Sequence, residues 1–159
     1  MPLNYNVPIT NIVRGSDANQ RIGHVIYMSY ITFNARWIVA TAGTISFRLI
    51  IYAKKCGGSS TVTDFTTGDD VTLANYDPSQ IRDYTIFFDK THTAVYPYRS
   101  FKTILLKVPI RKKIVYKAAA AAGFPTDITM NSLHFAIYNK NSGPIVNFRT
   151  HINCRYYDN

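Results

Sequence analysis

The segment 145–158 constrains the fold most, because its side chains alternate between two chemical types. One set of alternate positions is mainly apolar: Val146, Phe148, Thr150, Ile152, Cys154 and Tyr156. The other set is cationic or hydrogen-bonding: Asn147, Arg149, His151, Asn153, Arg155 and Tyr157. Successive side chains of a β-strand point to opposite faces. The pattern therefore predicts a strand with one face on a core and the other facing either solvent or a negatively charged partner.

Composition favours strands and a polyanionic partner. All nine acidic residues are Asp, and Glu, a leading helix former, is absent, whereas Tyr (12) and Phe (9) are abundant. The 18 Lys and Arg residues give a net charge of +9. This balance points to nucleic acid, an anionic membrane surface or an acidic polysaccharide. No apolar run is long enough to span a membrane and the first residues are not a signal peptide, so we expect no membrane partner.

The chain of 159 residues has the length of one domain. Its turn-rich connections predict an all-β sandwich, jelly roll or barrel. The long connection Cys56–Arg82 is expected to be functional or an interaction loop. Eight segments are predicted to be strands: Val7–Val13, His24–Trp37, Thr44–Lys54, Tyr84–Asp89, Phe101–Val108, Ile110–Lys117, Ser132–Asn139 and Ile145–Asp158.

The sequence lacks the residue spacings of catalytic and metal sites. The four His residues are scattered, and none has a His or carboxylate partner two or four residues away. Asp69 and Asp70 form the only adjacent acid pair, which is expected to lie in a solvated loop. We therefore expect no enzymatic activity, no cofactor and no metal site. Cys56 and Cys154 are expected to be free thiols in a reducing compartment.

Five segments in order resemble small icosahedral virus coat proteins. Residues 11–23 (NIVRGSDANQRIG) are similar to a passage in which a strand ends in Gly and Gln-Arg-x-Gly opens the next strand. Residues 47–54 (FRLIIYAK), 84–90 (YTIFFDK), 101–102 (FK) and 155–158 (RYYD) resemble later strands. The families are the jelly-roll capsid proteins of small circular single-stranded DNA (circovirus-like) viruses and, similarly, the coat protein of satellite tobacco necrosis virus.

The resemblance implies that residues 1–159 form a single capsid domain, an eight-stranded antiparallel jelly roll of two four-stranded sheets. Such a protein self-assembles into a small icosahedral shell, most simply with T=1 symmetry, around a single-stranded genome. Residues 20–23 and the Asp89–Lys90 pair favour DNA over RNA. The implied location is the virion, and the host nucleus or cytoplasm during assembly. Residues 1–20 contain one basic residue, Arg14, so the Arg/Lys-rich arm usual in these families has either been removed or left out of this sequence, or is lacking in this virus.

In these families the strands are lettered B to I and form sheets B-I-D-G and C-H-E-F, with B-I-D-G facing the lumen. Lettering the predicted strands in chain order makes residues 7–13 strand B, 44–54 strand D, 110–117 strand G and 145–158 strand I. Strands D, G and I then carry cations on one side, with tyrosines available to stack on bases. Lys112 breaks the pattern of strand G, which leaves another register open there. The predicted nucleic-acid contacts are Arg48, Tyr52, Lys54, Arg111, Lys113, Lys117, Arg149, His151 and Arg155.

Subunit contacts are predicted in two connections. Asp17 and Arg21 lie in the turn between the first two strands and are predicted to be structural or inter-subunit residues that do not touch nucleic acid. Tyr96 and Tyr98 flank Pro97 and supply rigid aromatic anchors of the type enriched in interfaces.

Two alternatives to a coat protein stay open. One is a jelly-roll carbohydrate-binding module or lectin, although a lectin would group aromatic and Asp or Asn residues in its loops and this chain has one Trp, Trp37. The other is a free single-strand-binding protein. Particle size separates these classes, because only a coat protein forms large closed shells.

Overall fold

Eight antiparallel strands form the fold in the computed structural model, which describes residues 4–12, 14–15, 20–39, 44–68, 70–95, 101–119, 122–139 and 145–158. Short 3₁₀ turns cover Val62–Asp64, Ile81–Asp83 and Pro125–Asp127. The strands are β1 (Asn4–Pro8), β2 (Val25–Val39), β3 (Thr44–Lys54), β4 (Tyr84–Val95), β5 (Phe101–Tyr116), β6 (Ile128–Met130), β7 (Ser132–Asn139) and β8 (Ile145–Asp158).

The strands pair into two four-stranded sheets, in the orders β1-β7-β3-β4 and β6-β5-β2-β8. All of the strand pairs are antiparallel. The predicted all-β jelly roll of two four-stranded sheets is therefore confirmed.

The predicted lettering is wrong by one position for residues 7–13 and 44–54, whereas residues 145–158 keep the letter I and most of 110–117 lies on the strand that takes G. The observed sheets match the jelly-roll order when β1 is strand C, β2 is D, β3 is E, β4 is F, β5 is G, β7 is H and β8 is I. Sheet C-H-E-F is then β1-β7-β3-β4, and β8-β2-β5 supplies I-D-G. Among the described residues, no strand lies in the place of B beside β8. Residues 44–54 consequently belong to the opposite sheet from β5 and β8.

The main core lies between the two sheets. The ring of Phe33 on β2 packs on Phe135 of β7 with centroids 4.7 Å apart, and Trp37 packs edge-on against Phe47 of β3 at 4.0 Å. These side chains are almost fully buried. Burying each of them stabilises the fold by about 1.5–3 kcal/mol, so strand alternation places one apolar face of each sheet on this core.

A second core covers the outer face of the β1-β7-β3-β4 sheet. Residues 56–83 fold back over it and place Val62 and Phe65 on Tyr52, Tyr84 and their neighbours. Phe65 is fully buried. The long connection, predicted to be an interaction loop, is thus a packed cover that leaves only one sheet with an open outer face.

Pro109 lies inside a continuous strand, although the sequence predicts a break there. β5 pairs with β2 from Phe101 to Val115, whereas β6 pairs only with Val115 and Tyr116 on the other side. The missing N–H of Pro109 therefore removes no bond to a second neighbour. The eighth strand is instead the short β6.

Candidate nucleic-acid interface

The outer face of β5, β2 and β8 carries transverse rows of polar, aromatic and cationic side chains, with β2 supplying the middle member. The side chains that β5 and β8 contribute to these rows are exposed, and those from β2 are exposed or half-buried. We call this surface, together with Arg111, the basic face. Its rows are Lys113–Tyr27–Tyr157, Pro109–Tyr30–Arg155, Lys107–Thr32–Asn153, Leu105–Asn34–His151 and Thr103–Arg36–Arg149.

No carboxylate interrupts the basic face. The sequences of β2 and β5 contain no acidic residue, and the only one in β8 is Asp158 at its end. Asp158 follows the other set of alternate positions, and its Oδ2 accepts a hydrogen bond of 3.1 Å from the backbone N–H of Ile22. The cations of this face are therefore not balanced by acids from their own strands.

Arg36 and Arg149 lie directly opposite each other on β2 and β8, and both are exposed. Like charges in this position destabilise a sheet, by roughly 0.2–1 kcal/mol for a cross-strand pair. A polyanion bound across the pair would attract both guanidinium groups and offset their mutual repulsion. The pair is thus a local cost to stability that binding would remove.

Aromatic rings concentrate at the other end of the basic face. The Lys107 ammonium lies 4.1 Å from the Tyr30 ring centre, and the Arg155 guanidinium lies 6.0 Å from that of Tyr157. Tyr27 and Tyr157 face each other across the strands and are 39% and 54% exposed. Exposed rings beside cations can stack on the bases of a single strand while the cations hold its phosphates.

A β-bulge shapes the β5 side of the basic face. Met28 pairs with Lys112 and Tyr30 with Pro109, so β5 has one residue more than β2 between these pairs. Arg111 lies in this bulge with a φ of 50°, a conformation uncommon for a residue with a side chain. Arg111 and Lys113 are exposed and Lys112 is half-buried. Arg111 and Lys113 are therefore exposed as predicted, although the register of β5 against β2 does shift between Pro109 and Lys112.

The residues predicted on strand 44–54 do not join this surface. Tyr52 is fully buried, stacks on His134 and donates a hydrogen bond of 3.1 Å to the carbonyl of Ser60. Lys54 is half-buried and donates to the carbonyl of Ser59. Their prediction as nucleic-acid contacts is wrong, because they belong to the other sheet and the 56–83 cover lies over its outer face.

Arg48 is also a structural residue and not a nucleic-acid contact. Its guanidinium donates to both carboxylate oxygens of Asp89 at 2.8 and 2.6 Å and to the carbonyls of Val71 and Ala74. Tyr76 donates a further hydrogen bond to Asp89. Burial alone would raise the pKa of Asp89, but the hydrogen bonds from Arg48 and Tyr76 outweigh it and lower that pKa. The bidentate pair joins β3 to β4, and the hydrogen bonds with Val71, Ala74 and Tyr76 tie the cover to it.

The remaining predicted contacts lie on one sheet. Arg149, His151 and Arg155 are exposed on β8, and Lys117 is exposed one residue beyond the end of β5. Lys107, Tyr27, Tyr30 and Arg36 also belong to the basic face and were not among the predicted contacts. The alternation of side chains along β2 could have indicated Tyr27, Tyr30 and Arg36, but the predicted lettering did not place β2 beside β5 and β8.

Most of the acidic residues fall in one stretch of the sequence. Six of the nine Asp residues fall between residues 56 and 89, a stretch whose only Lys or Arg is Arg82: Asp64, Asp69, Asp70, Asp77, Asp83 and Asp89. The described part of this stretch covers or borders the outer face of the β1-β7-β3-β4 sheet. The cover is therefore rich in acids, although Arg48, Lys54 and Lys90 lie on the strands that it borders.

Arg21 is buried inside the chain. Its Nε donates a hydrogen bond of 3.1 Å to the carbonyl of Ile12, and its guanidinium lies 4.0 Å from the ring centre of Tyr116. This position fits a structural role, whereas its fully buried side chain contradicts direct contact with another subunit. Asp17, Tyr96 and Tyr98, the other predicted interface residues, lie outside the described residues.

The described part of the chain holds two free thiols and scattered possible metal ligands. It contains no group of three or more His, Cys or acidic residues arranged to hold a metal ion, and no helix long and apolar enough to cross a membrane. Cys56 and Cys154 are free, and burial raises the pKa of Cys154 to about 11. No protein-family model matches the chain, and the comparison with curated proteins finds no match either.

Proposed function

We propose that this protein is the coat protein of a small virus with a single-stranded genome, and that the basic face binds that genome. Copies of the chain would form a small icosahedral shell, most simply of T=1 symmetry. The basic face would line the lumen and the acidic cover would face outwards. The resemblance in five sequence segments suggests this role and favours DNA over RNA.

The observation that carries the proposal is the outer face of β5, β2 and β8, where cations and aromatic rings recur among polar side chains with no acid between them. Lys and Arg side chains on a sheet neutralise phosphates without reading base sequence, and counterion release makes such binding depend on salt. The two-sided charge distribution supports the same orientation, because a shell of identical subunits gives every copy the same inside and outside.

Assembly is tested by negative-stain microscopy of the purified full chain at moderate salt, with and without added single-stranded DNA. The proposal predicts closed particles of uniform diameter. A monodisperse 18.0 kDa monomer at high protein concentration under both conditions would refute it. It would leave a free single-strand-binding protein or a lectin, and binding to an oligonucleotide separates these two.

Packaging is tested by reversing two charges in particles purified after expression. The double variant Arg149→Glu with Arg155→Glu should lower the ratio of absorbance at 260 and 280 nm, because both residues belong to the basic face. The matched control, Arg82→Glu with Lys90→Glu, makes the same change in net charge on the other sheet and its cover. An unchanged ratio in the first variant would remove the basic face from packaging.

A further inference from the structure

The outer edge of β8 is open along a long strand. β8 is the last strand of its sheet and spans 14 residues. Of the other edge strands, β4 spans 12 residues, and β1 and β6 span five and three. Among the described residues β8 pairs only with β2. It contains no proline, so every N–H and C=O on its open side is able to pair with an added strand.

The core is also incompletely covered beside this edge. Ile31, Phe33 and Ala35 on the inner side of β2 are fully buried, but Ile152, Cys154 and Tyr156 on the inner side of β8 are only partly buried. An added strand with apolar residues at alternate positions would extend the sheet and complete the cover over these side chains.

The opposite sheet leaves room for one strand. Two strands of the opposite sheet pack against β2: β7 through the Phe33–Phe135 contact and β3 through the Trp37–Phe47 contact. β1 follows β7 at the end of its sheet that lies towards β8, and Tyr5 on β1 is 49% exposed. A folded second copy pairing its own β8 here would bring its β7 into the place of β1. A single extended segment avoids that overlap.

The cations on the outward side of β8 determine which residues an added strand needs on its own outward side. Its outward residues would lie beside Arg149, His151 and Arg155, with no acid between them. Opposite charges across adjacent strands are stabilising and like charges are destabilising. We infer that the β8 edge binds an extended strand of another polypeptide in which apolar residues alternate with acidic ones, by β-strand addition. The inference rests on strand order and core exposure and does not depend on the coat-protein proposal.

The test uses the full chain and a nine-residue synthetic peptide that alternates valine and aspartate. Two control peptides separate strand addition from charge attraction: one with the same composition in two blocks, and one that alternates valine and lysine. By fluorescence anisotropy the alternating acidic peptide should bind more tightly than either control, by about tenfold or more. Equal binding of the block peptide, or no binding of the alternating peptide, would overturn the inference.

Hydrogen exchange locates the bound peptide. In the free protein, the β8 amides that point away from β2 should exchange fast, and the alternating peptide should slow them. β4 is the matched control, because it is the other long edge strand and spans 12 residues. Equal protection of β4, or protection of neither edge, would contradict binding at β8. This readout needs no substitution and so does not depend on a variant that folds.

Discussion

At the scale of single residues, His134 shows how burial sets the acid stability of this fold. Its side chain is 1% exposed, stacks on Tyr52 and contacts the carbonyl of Gly58 through Nε2. Burial lowers its pKa to about 4, so the folded state keeps the ring neutral where the unfolded chain would already bind a proton. Stability from this residue is therefore present above the ordinary pKa of about 6.5 and is lost as the pH falls towards 4.

We expect His134→Phe to remove this pH dependence, because a phenyl ring keeps the stacking position and does not titrate. Between pH 6.5 and 4 the free energy of unfolding of the unsubstituted protein should fall by about 3 kcal/mol more than that of the variant. Urea titrations at several pH values measure the difference. Parallel pH profiles for the two proteins would show that His134 is not responsible.

The Arg36–Arg149 pair predicts opposite effects on stability and binding. Arg149→Gln should raise the free energy of unfolding by a few tenths of a kcal/mol at low salt, by removing cross-strand repulsion, and it should weaken oligonucleotide binding. Arg155→Gln is the control, because Arg155 lies opposite Tyr30 and no like charge is relieved there. Equal stabilisation by both substitutions would point to the net charge of the protein and not to the pair.

At the scale of elements, the 56–83 cover is expected to behave as part of the core. Phe65→Ala should destabilise the protein by about 3–5 kcal/mol, since Phe65 is fully buried against Tyr52 and Tyr84. Leu73→Ala, at a position 73% exposed in the same segment, should change stability by less than about 0.5 kcal/mol. Urea denaturation of both variants measures this. A small effect of Phe65→Ala would show that the cover does not behave as part of the core.

The extent of most strands could be predicted from the sequence, but their arrangement could not. Alternation gave β3, β7 and β8 with their observed bounds, because side-chain period is a local property. The choice of sheet depends on non-local pairing, and a lettering shift of one strand moved Arg48 and Tyr52 from a buried face to a supposed binding face. The cover could not be predicted either, since its Gly, Ser, Thr and Asp residues are typical of loops. Its apolar contacts come from a few separated residues: Val62, Phe65 and Val71, with Tyr76 and Ile81 partly buried beside them.

At the scale of the whole molecule, charge divides the sandwich into two sides. The sequences of β2 and β5 contain no acid and β8 contains only Asp158, whereas the described part of the acidic stretch lies over or beside the other sheet. A shell would bring many basic faces together around a small volume, so repulsion should make an empty particle less stable than a filled one at low salt. Thermal dissociation of empty particles, followed by light scattering, should therefore shift to higher temperature as salt or single-stranded DNA is added. Dissociation that ignores both additions would contradict a lumen lined by this face.

The most direct test of the account measures whether the basic face binds a single strand. Anisotropy of a labelled oligothymidylate of about twenty nucleotides gives the affinity at several salt concentrations. For Arg149→Glu with Arg155→Glu we expect weaker binding and a salt slope smaller by about 1.4, the value for two lost phosphate contacts. Arg82→Glu with Lys90→Glu should leave both quantities nearly unchanged. Equal losses in the two double variants would show that only net charge matters, and no loss in the first would place the binding surface elsewhere.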